Sequence, residues 1–287
     1  MMGIYTYELK TLLTGLKAYI FTAFMILSGG IFVAYWNLYN GVPSTEYSLA
    51  FITVPLMAAI PFLTFSSYSG ERAAGADIML SSIGVKTNAL TVSKFLAYMT
   101  VFTFSFVFLL IVPFIFAIFA DINIAGALSG LLGYYLYGAA LMALCLFVSS
   151  VTTRPLYSAI ASYSAVLITY LCEIVLLYIA DGILASFFLL SVLILLSALV
   201  VYYLTRSETV CIIFAVTLEI IVIILRFTAP DFFAGIFGSV MGIFALRDPL
   251  SGFLYGLLDL TCVVKYAVIT AVFLLLTWLS LLSRRSS

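Results

Sequence analysis

The chain has 287 residues, of which 65% are apolar and 8% are charged, and its formal net charge is zero. A soluble domain carries roughly a quarter charged residues, so this composition and a mean hydropathy of +1.28 exclude an ordinary soluble protein. They predict an all-α, polytopic membrane bundle that forms a single transmembrane domain over residues 1–287. The balanced charge gives no reason to expect nucleic acid as a partner.

The first 17 residues mix polar and apolar side chains, unlike a cleavable secretory signal, which has a short apolar core near its start. Several leucines and an isoleucine of this stretch fall on one side of a helix. We therefore predict an interfacial N-terminal helix over residues 1–17. Glu8, Lys10 and Lys17 are expected to face water or lipid headgroups.

Eight apolar runs approach the length of about 20 residues that crosses the hydrocarbon core of a bilayer. Polar or turn-forming residues separate most of them, as at Asn40–Pro43 and Thr152–Pro155. The predicted spans are Ala18–Tyr39, Tyr47–Ser66, Phe95–Ala120, Ile124–Ser149, Leu156–Ala180, Ile183–Leu204, Val210–Phe227 and Cys262–Leu282.

Basic residues are divided unevenly between the two sets of loops, which predicts cytoplasmic N and C termini. One side receives Lys10, Lys17, Arg72, Lys86, Lys94, Arg154, Arg206, Arg284 and Arg285. The other side receives only Arg226, Arg247 and Lys265.

The stretch 69–94 is the longest interval without a predicted span in the first two thirds of the chain. The charge bias places it in the cytoplasm, and part of it has the pattern of a short amphipathic helix. Such a helix suits the docking of a partner protein, and a helix resting on the membrane surface is the alternative. Its charged residues are Glu71, Arg72, Asp77, Lys86 and Lys94.

Residues 228–261 do not fit a simple loop. Phe232–Leu246 is apolar but too short, at about 15 residues, to span comfortably. Leu250–Leu260 is again mostly apolar. We predict two short extracytoplasmic helices, either a re-entrant hairpin packed on protein or interfacial helices in an ordinary outer loop.

The chain has no histidine and no P-loop, GxSxG or HExxH motif. We therefore expect no enzymatic activity of its own, and no catalytic residue, cofactor site or metal site in this chain. The four cysteines lie far apart, which favours buried free thiols.

Two acids, Glu173 and Glu219, lie inside predicted spans, where a charge costs at least a few kcal/mol. Arg226 follows Glu219 by about two helical turns and shares its face. These three residues predict an intramembrane polar site in a substrate path or for a proton. Protonated or hydrogen-bonded structural carboxyls are the other interpretation. An ion-coupled secondary transporter using these carboxylates is the alternative function.

The stretch after the second span contains Glu71-Arg72, Gly75, Met79-Leu80, Val85 and Lys94 to Ala97. This pattern resembles the corresponding segment of ABC-2 type permeases, in the gliding-motility and nitrous-oxide-reductase-maturation branch. Segments near both termini and at the end of the fourth span are also similar, so the resemblance covers nearly the whole chain. The sequence departs from the family pattern at Ala76, Ile78, Gly84 and Ser93.

The resemblance implies the permease subunit of an ABC transporter, and an exporter, in a bacterial inner membrane. Two such subunits, identical or paralogous, would pair with two separate ATP-binding subunits, which hold ATP and Mg²⁺. The coupling helix that docks on the ATPase would lie within Glu71–Gly84. The residues expected to contact the ATPase are Glu71, Arg72, Asp77, Ile78, Met79, Leu80 and Ile83.

Overall fold

The computed structural model describes residues 2–42, 45–76, 87–119, 123–178, 186–188, 190–191, 194, 216–223, 225, 236–254, 256 and 259–286. These residues are almost entirely helical and include no strand, which confirms the all-α class. The chain divides into two compact units, residues 1–168 with 246–287 and residues 169–245. Because much of the second unit lies outside the described residues, a single domain over 1–287 stays a prediction.

The helices are named here in chain order. A π-helix, Ala34–Tyr39, continues the second helix without a break. The α-helices are α1 (Met2–Thr14), α2 (Leu16–Val33), α3 (Glu46–Thr64), α4 (Ser69–Ala73), α5 (Thr87–Phe119), α6 (Ile124–Val151), α7 (Pro155–Tyr178), α8 (Ile236–Phe244), α9 (Asp248–Leu254) and α10 (Leu260–Ser286).

Six helical segments within the described ranges are long and apolar enough to cross a membrane, so the chain is a multi-pass membrane protein. The predicted spans 183–204 and 210–227 fall largely outside the described residues, and the count of eight stays a prediction. The six segments are Leu16–Tyr39, Glu46–Ala73, Thr87–Ile118, Ile124–Val151, Pro155–Val175 and Leu260–Arg284.

The core of the first unit is built around α6, against which α3, α5, α9 and α10 pack. Of the apolar stretch of α6, 72% is buried, compared with 11% for α10. Glycines on α6 allow this close packing. Gly138 faces the ring of Phe102, and a Cβ at Gly133 would lie only 2.6 Å from the Cβ of Phe253.

The helices of the first unit run alternately between two ends of the bundle. We call the end that carries α1 the α1 end. Arg72 of α4 and Arg284 of α10 both reach the last carbonyls of α6, which places the C-terminal ends of all three helices there. Gly126 near the start of α6 lies against Gly256, before α10, at the opposite end.

The structure corrects the prediction for two charged residues at the α1 end. Glu8 is 6% exposed and does not face water, although α1 forms as predicted. Lys94 lies inside α5, which begins at Thr87 instead of Phe95, and it is 1% exposed. Lys17 is half-buried and donates a hydrogen bond to Ser66.

Short helices form at two places within 228–261, as predicted. In the first unit, α9 begins at Asp248 with a proline in its first turn, a position that suits proline. Leu250 and Phe253 are 1% and 0% exposed because α9 packs on α6. Arg247, just before α9, donates to Thr53 Oγ1 at 3.2 Å. Helix α9 therefore packs on protein, and the choice between a re-entrant hairpin and interfacial helices stays a prediction.

Candidate functional site

A buried ion cluster joins three helices at the α1 end. The Lys94 ammonium of α5 lies 2.8 Å from the Glu8 carboxylate of α1 and 2.5 Å from the Glu71 carboxylate of α4. The side chain of Lys94 is 1% exposed, and those of Glu8 and Glu71 are 8% and 23% exposed. Residues far apart in the chain thus meet in one site with little access to water.

The position of Glu8 follows from how α1 lies along α5. Tyr5 and Glu8 are one turn apart on α1 and share a face. The Tyr5 hydroxyl lies 2.9 Å from Thr100 Oγ1, while Glu8 pairs with Lys94, which is nearer the N-terminal end of α5. The two pairings run in opposite directions along the helices, so α1 is antiparallel to α5. This amphipathic helix buries its acid against protein.

The Lys94 ammonium has three N–H donors, and three acceptors surround it. Two are the carboxylates of Glu8 and Glu71, and the third is the backbone carbonyl of Ser67 at 3.4 Å. The ammonium also lies 5.2 Å from the ring centre of Tyr68, within range for a cation–π interaction. The surroundings of Lys94 thus satisfy its hydrogen bonds and favour its positive charge.

The cluster is costly to break. Removing one partner of a buried ion pair destabilises a protein by about 3–5 kcal/mol, because the remaining charge is left uncompensated. With all three groups ionised, Glu8, Glu71 and Lys94 sum to one negative charge. Any motion that moves one of these groups away while the others stay buried leaves a charge uncompensated, so the cluster favours joint movement of α1, α4 and α5.

A second set of contacts satisfies the C-terminal carbonyls of α6, also at the α1 end. The last four carbonyls of a helix have no partner within it, and cations are favourable there. Arg72 of α4 donates to the carbonyls of Thr152 at 2.6 Å and Ser150 at 2.5 Å. Arg284 of α10 donates to the carbonyl of Val151. The two arginines therefore join α4 and α10 to the C-terminal end of α6.

Ser149 of α6 holds the bend between α3 and α4. Its hydroxyl accepts hydrogen bonds from the backbone N–H groups of Tyr68 at 3.1 Å and Ser69 at 3.3 Å. The same hydroxyl donates to the carbonyl of Phe65 at 2.9 Å. These groups are not paired within a helix because the chain turns there, so Ser149 satisfies them and fixes α4 on α6.

Of the seven residues predicted to contact the ATPase, the structure describes only Glu71 and Arg72. Glu71 and Arg72 form α4 and point to Lys94 and to α6, so both hold helices of this chain together. Contact of either with an ATPase stays a prediction. The rest of the predicted docking set, Asp77, Ile78, Met79, Leu80 and Ile83, lies outside the described residues, between α4 and α5.

The predicted intramembrane polar site falls in the second unit. Ser191 Oγ donates to Glu219 Oε1 at 2.7 Å, which is what a hydrogen-bonded structural carboxyl requires. Glu173 is half-buried on α7. Arg226 lies outside the described residues, so the same-face arrangement with Glu219 stays a prediction.

The sequence reasoning missed Glu8 and Lys94 as partners. A signal existed, since these opposite charges each lie close to an apolar run at the same predicted side of the membrane. In a chain with 8% charged residues, two such charges beside spans are candidates for a pair. Glu71 was singled out, but as a residue that contacts a partner.

Among the described residues, no group of three or more Cys, Asp or Glu side chains is arranged to hold a metal ion. Comparisons of the chain with protein-family models, with curated proteins and with solved structures gave no match. The family resemblance therefore depends on the sequence motifs alone.

Proposed function

We propose that this chain is the permease subunit of an ABC-2 type ABC transporter, an exporter that is energised by a separate ATPase subunit. The ion cluster of Glu8, Glu71 and Lys94 carries most of the support. Glu71 and Lys94 are 23 positions apart in the chain and lie on either side of residues 77–86, which include most of the predicted coupling segment Glu71–Gly84. Their contact ties the two flanks of that segment to each other.

The cluster suits a role in transmitting force. A load applied to residues 77–86 reaches the chain through α4 and α5, which the Glu71–Lys94 pair joins. Glu8 passes that load to α1, and Arg72 passes it to the end of α6. An element that transmits displacement must keep its internal contacts, and leaving one charge of a buried ion pair without its partner costs about 3–5 kcal/mol.

In the proposed mechanism, ATP and Mg²⁺ are bound and ATP is hydrolysed in the partner. Closure of the ATPase dimer moves residues 77–86, and this chain converts that movement into a reorientation of its spans. The α1 end faces the cytoplasm of a bacterial inner membrane, in keeping with the bias of Lys and Arg. Two permease subunits, identical or paralogous, pair with two ATPase subunits.

The direct test is co-expression and co-purification of this chain with any P-loop ATPase that a neighbouring gene encodes. Asp substitutions at Met79 and Leu80 should abolish co-purification, because charges would replace the apolar side chains expected in the partner cleft. Met2→Asp is the matched control, since Met2 is 82% exposed on α1 and lies outside the docking segment. If the parent chain never associates with an ATPase, the proposal fails.

A second measurement separates binding from coupling. Lys94→Met should still bind the ATPase, because it changes none of the residues expected to contact the ATPase, but transport per ATP hydrolysed in proteoliposomes should fall. Glu219→Gln should leave ATP-driven transport unchanged. Transport that needs no ATPase and stops in Glu219→Gln would instead support the ion-coupled alternative.

A further inference from the structure

An apolar groove of about 660 Å³ lies between α5, α6 and α10, at the end of the bundle opposite α1. Sites for small ligands typically occupy roughly 300–1,000 Å³. Leu128 and Leu132 of α6 are 38% and 43% exposed in its wall, and Leu260 is 75% exposed. The lining of the groove includes Phe106, Leu128, Leu132, Tyr135, Leu136 and Asp259.

The groove has the length of a hydrocarbon chain in one leaflet. Along α6 it runs from Leu128 to Leu136, and eight residues of helix span about 12 Å. One leaflet contributes roughly 15 Å to the hydrocarbon core. Because Leu128 is one turn from the start of α6, the groove begins near the membrane surface and ends inside that leaflet.

The base of the groove is held in place by aromatic packing. The rings of Phe106 and Tyr135 are 5.0 Å apart, and the Tyr135 hydroxyl lies 3.0 Å from Thr103 Oγ1. The groove is therefore formed by side chains that already have partners within the protein. An apolar chain would find a preformed surface there.

A carboxylate lies at the mouth of the groove. Asp259 precedes α10, and the backbone N–H of Thr261 donates to its Oδ1 at 2.8 Å. This hydrogen bond lowers the pKa of the Asp259 carboxyl and so favours its ionised form. The nearby cation Lys265 lies 3.8 Å from Asp248. An anionic mouth above an apolar groove is complementary to an amphiphile with a cationic head.

We propose that this groove binds one chain of a phospholipid whose headgroup carries a free ammonium, with the ammonium beside Asp259. The lipid lies in the leaflet opposite the α1 end. Phosphatidylethanolamine is the common lipid chemistry that meets both requirements. The site does not depend on the proposed pairing with an ATPase, so either proposal can fail alone.

The test uses the full chain in vesicles of phosphatidylethanolamine and phosphatidylglycerol, with photoactivatable acyl-chain probes of each headgroup. The phosphatidylethanolamine probe should label the peptide that contains residues 128–136 more than the phosphatidylglycerol probe does. An exposed ion pair predicts a preference of about two- to fivefold. Asp259→Asn should bring the ratio near one while keeping the helix cap, since Asn caps as well as Asp.

Matched controls separate the groove from its surroundings. Leu132→Trp should fill the groove and reduce labelling several-fold, whereas Leu275→Trp, at a 55% exposed site on α10 that does not line it, should not. Glu46→Gln removes a charge at the same end and should leave the headgroup ratio unchanged.

Two results would overturn the proposal. Equal labelling by the two probes in the parent chain would identify ordinary boundary lipid without headgroup recognition. Efficient disulfide cross-linking between two Leu132→Cys chains in vesicles, with weak labelling, would show that a second copy covers the groove.

Discussion

Replacing Lys94 by Met removes the ammonium that lies between two buried carboxylates. The parent cluster carries one negative charge when all three groups are ionised, and Lys94→Met leaves two carboxyl groups facing each other without a counter-ion. Glu8→Gln or Glu71→Gln instead leaves a neutral pair with Lys94. The expected order of destabilisation therefore places Lys94→Met first, with both Gln variants well below it.

The magnitudes follow from the burial. Lys94 is 1% exposed, so its loss should lower the free energy of unfolding by about 3–5 kcal/mol. Each Gln variant loses the ionic part of one contact but keeps a hydrogen-bonding side chain. Its free energy of unfolding should therefore fall by about 1–3 kcal/mol. A triple variant with Leu at both acids and Met at Lys94 removes every charge and should return close to the parent stability.

The assay is equilibrium unfolding in mixed detergent micelles, followed by circular dichroism. Lys10→Met is the matched control, because Lys10 is exposed on the same helix that carries Glu8. The reasoning is refuted if Lys94→Met costs less than about 1 kcal/mol, the value typical of a surface ion pair. It is also refuted if the triple variant is no more stable than Lys94→Met.

Two further predictions concern the helix ends and the core. Arg72→Met should lower the free energy of unfolding by about 2–3 kcal/mol, since two carbonyls at the end of α6 lose a charged donor, and Arg72→Lys should recover only part of it. Gly133→Ala should lower the free energy of unfolding by about 1–3 kcal/mol, because the new methyl group would lie only 2.6 Å from the Cβ of Phe253. Gly30→Ala on α2, with nothing within 4 Å, should be neutral or stabilising. The same unfolding assay checks all four variants.

Hydropathy alone predicts the six spans that the described residues contain, but not where their helices end. The run that begins at Phe95 marks where the sequence becomes apolar, whereas α5 begins at Thr87. The intervening residues are mostly small or polar and still form helix. Because backbone hydrogen bonds continue past the apolar stretch, Lys94 becomes a helix residue facing protein, and no hydropathy rule signals that.

The ion cluster depends on tertiary contacts that sequence spacing does not contain. Glu8 could face lipid headgroups or protein with the same amphipathic pattern, and only the packing of α1 on α5 decides between them. The predicted importance of Glu71 and Arg72 came from a motif, while their observed contacts are internal. A charged residue close to an apolar run, in a chain with few charges, is a candidate for a buried ion pair within the protein.

The burial of α6 has a consequence for synthesis. Its Gly133 surface is covered by Phe253, and the main partner along its length is α10. Both lie roughly 100 residues later in the chain, so at about 5–20 residues per second α6 exists for on the order of 5–20 s without them. During that interval its fully buried Tyr134 and Tyr137 face lipid, the insertion machinery or earlier helices. A chaperone or insertase that shields one half-made helix would therefore be needed most for α6.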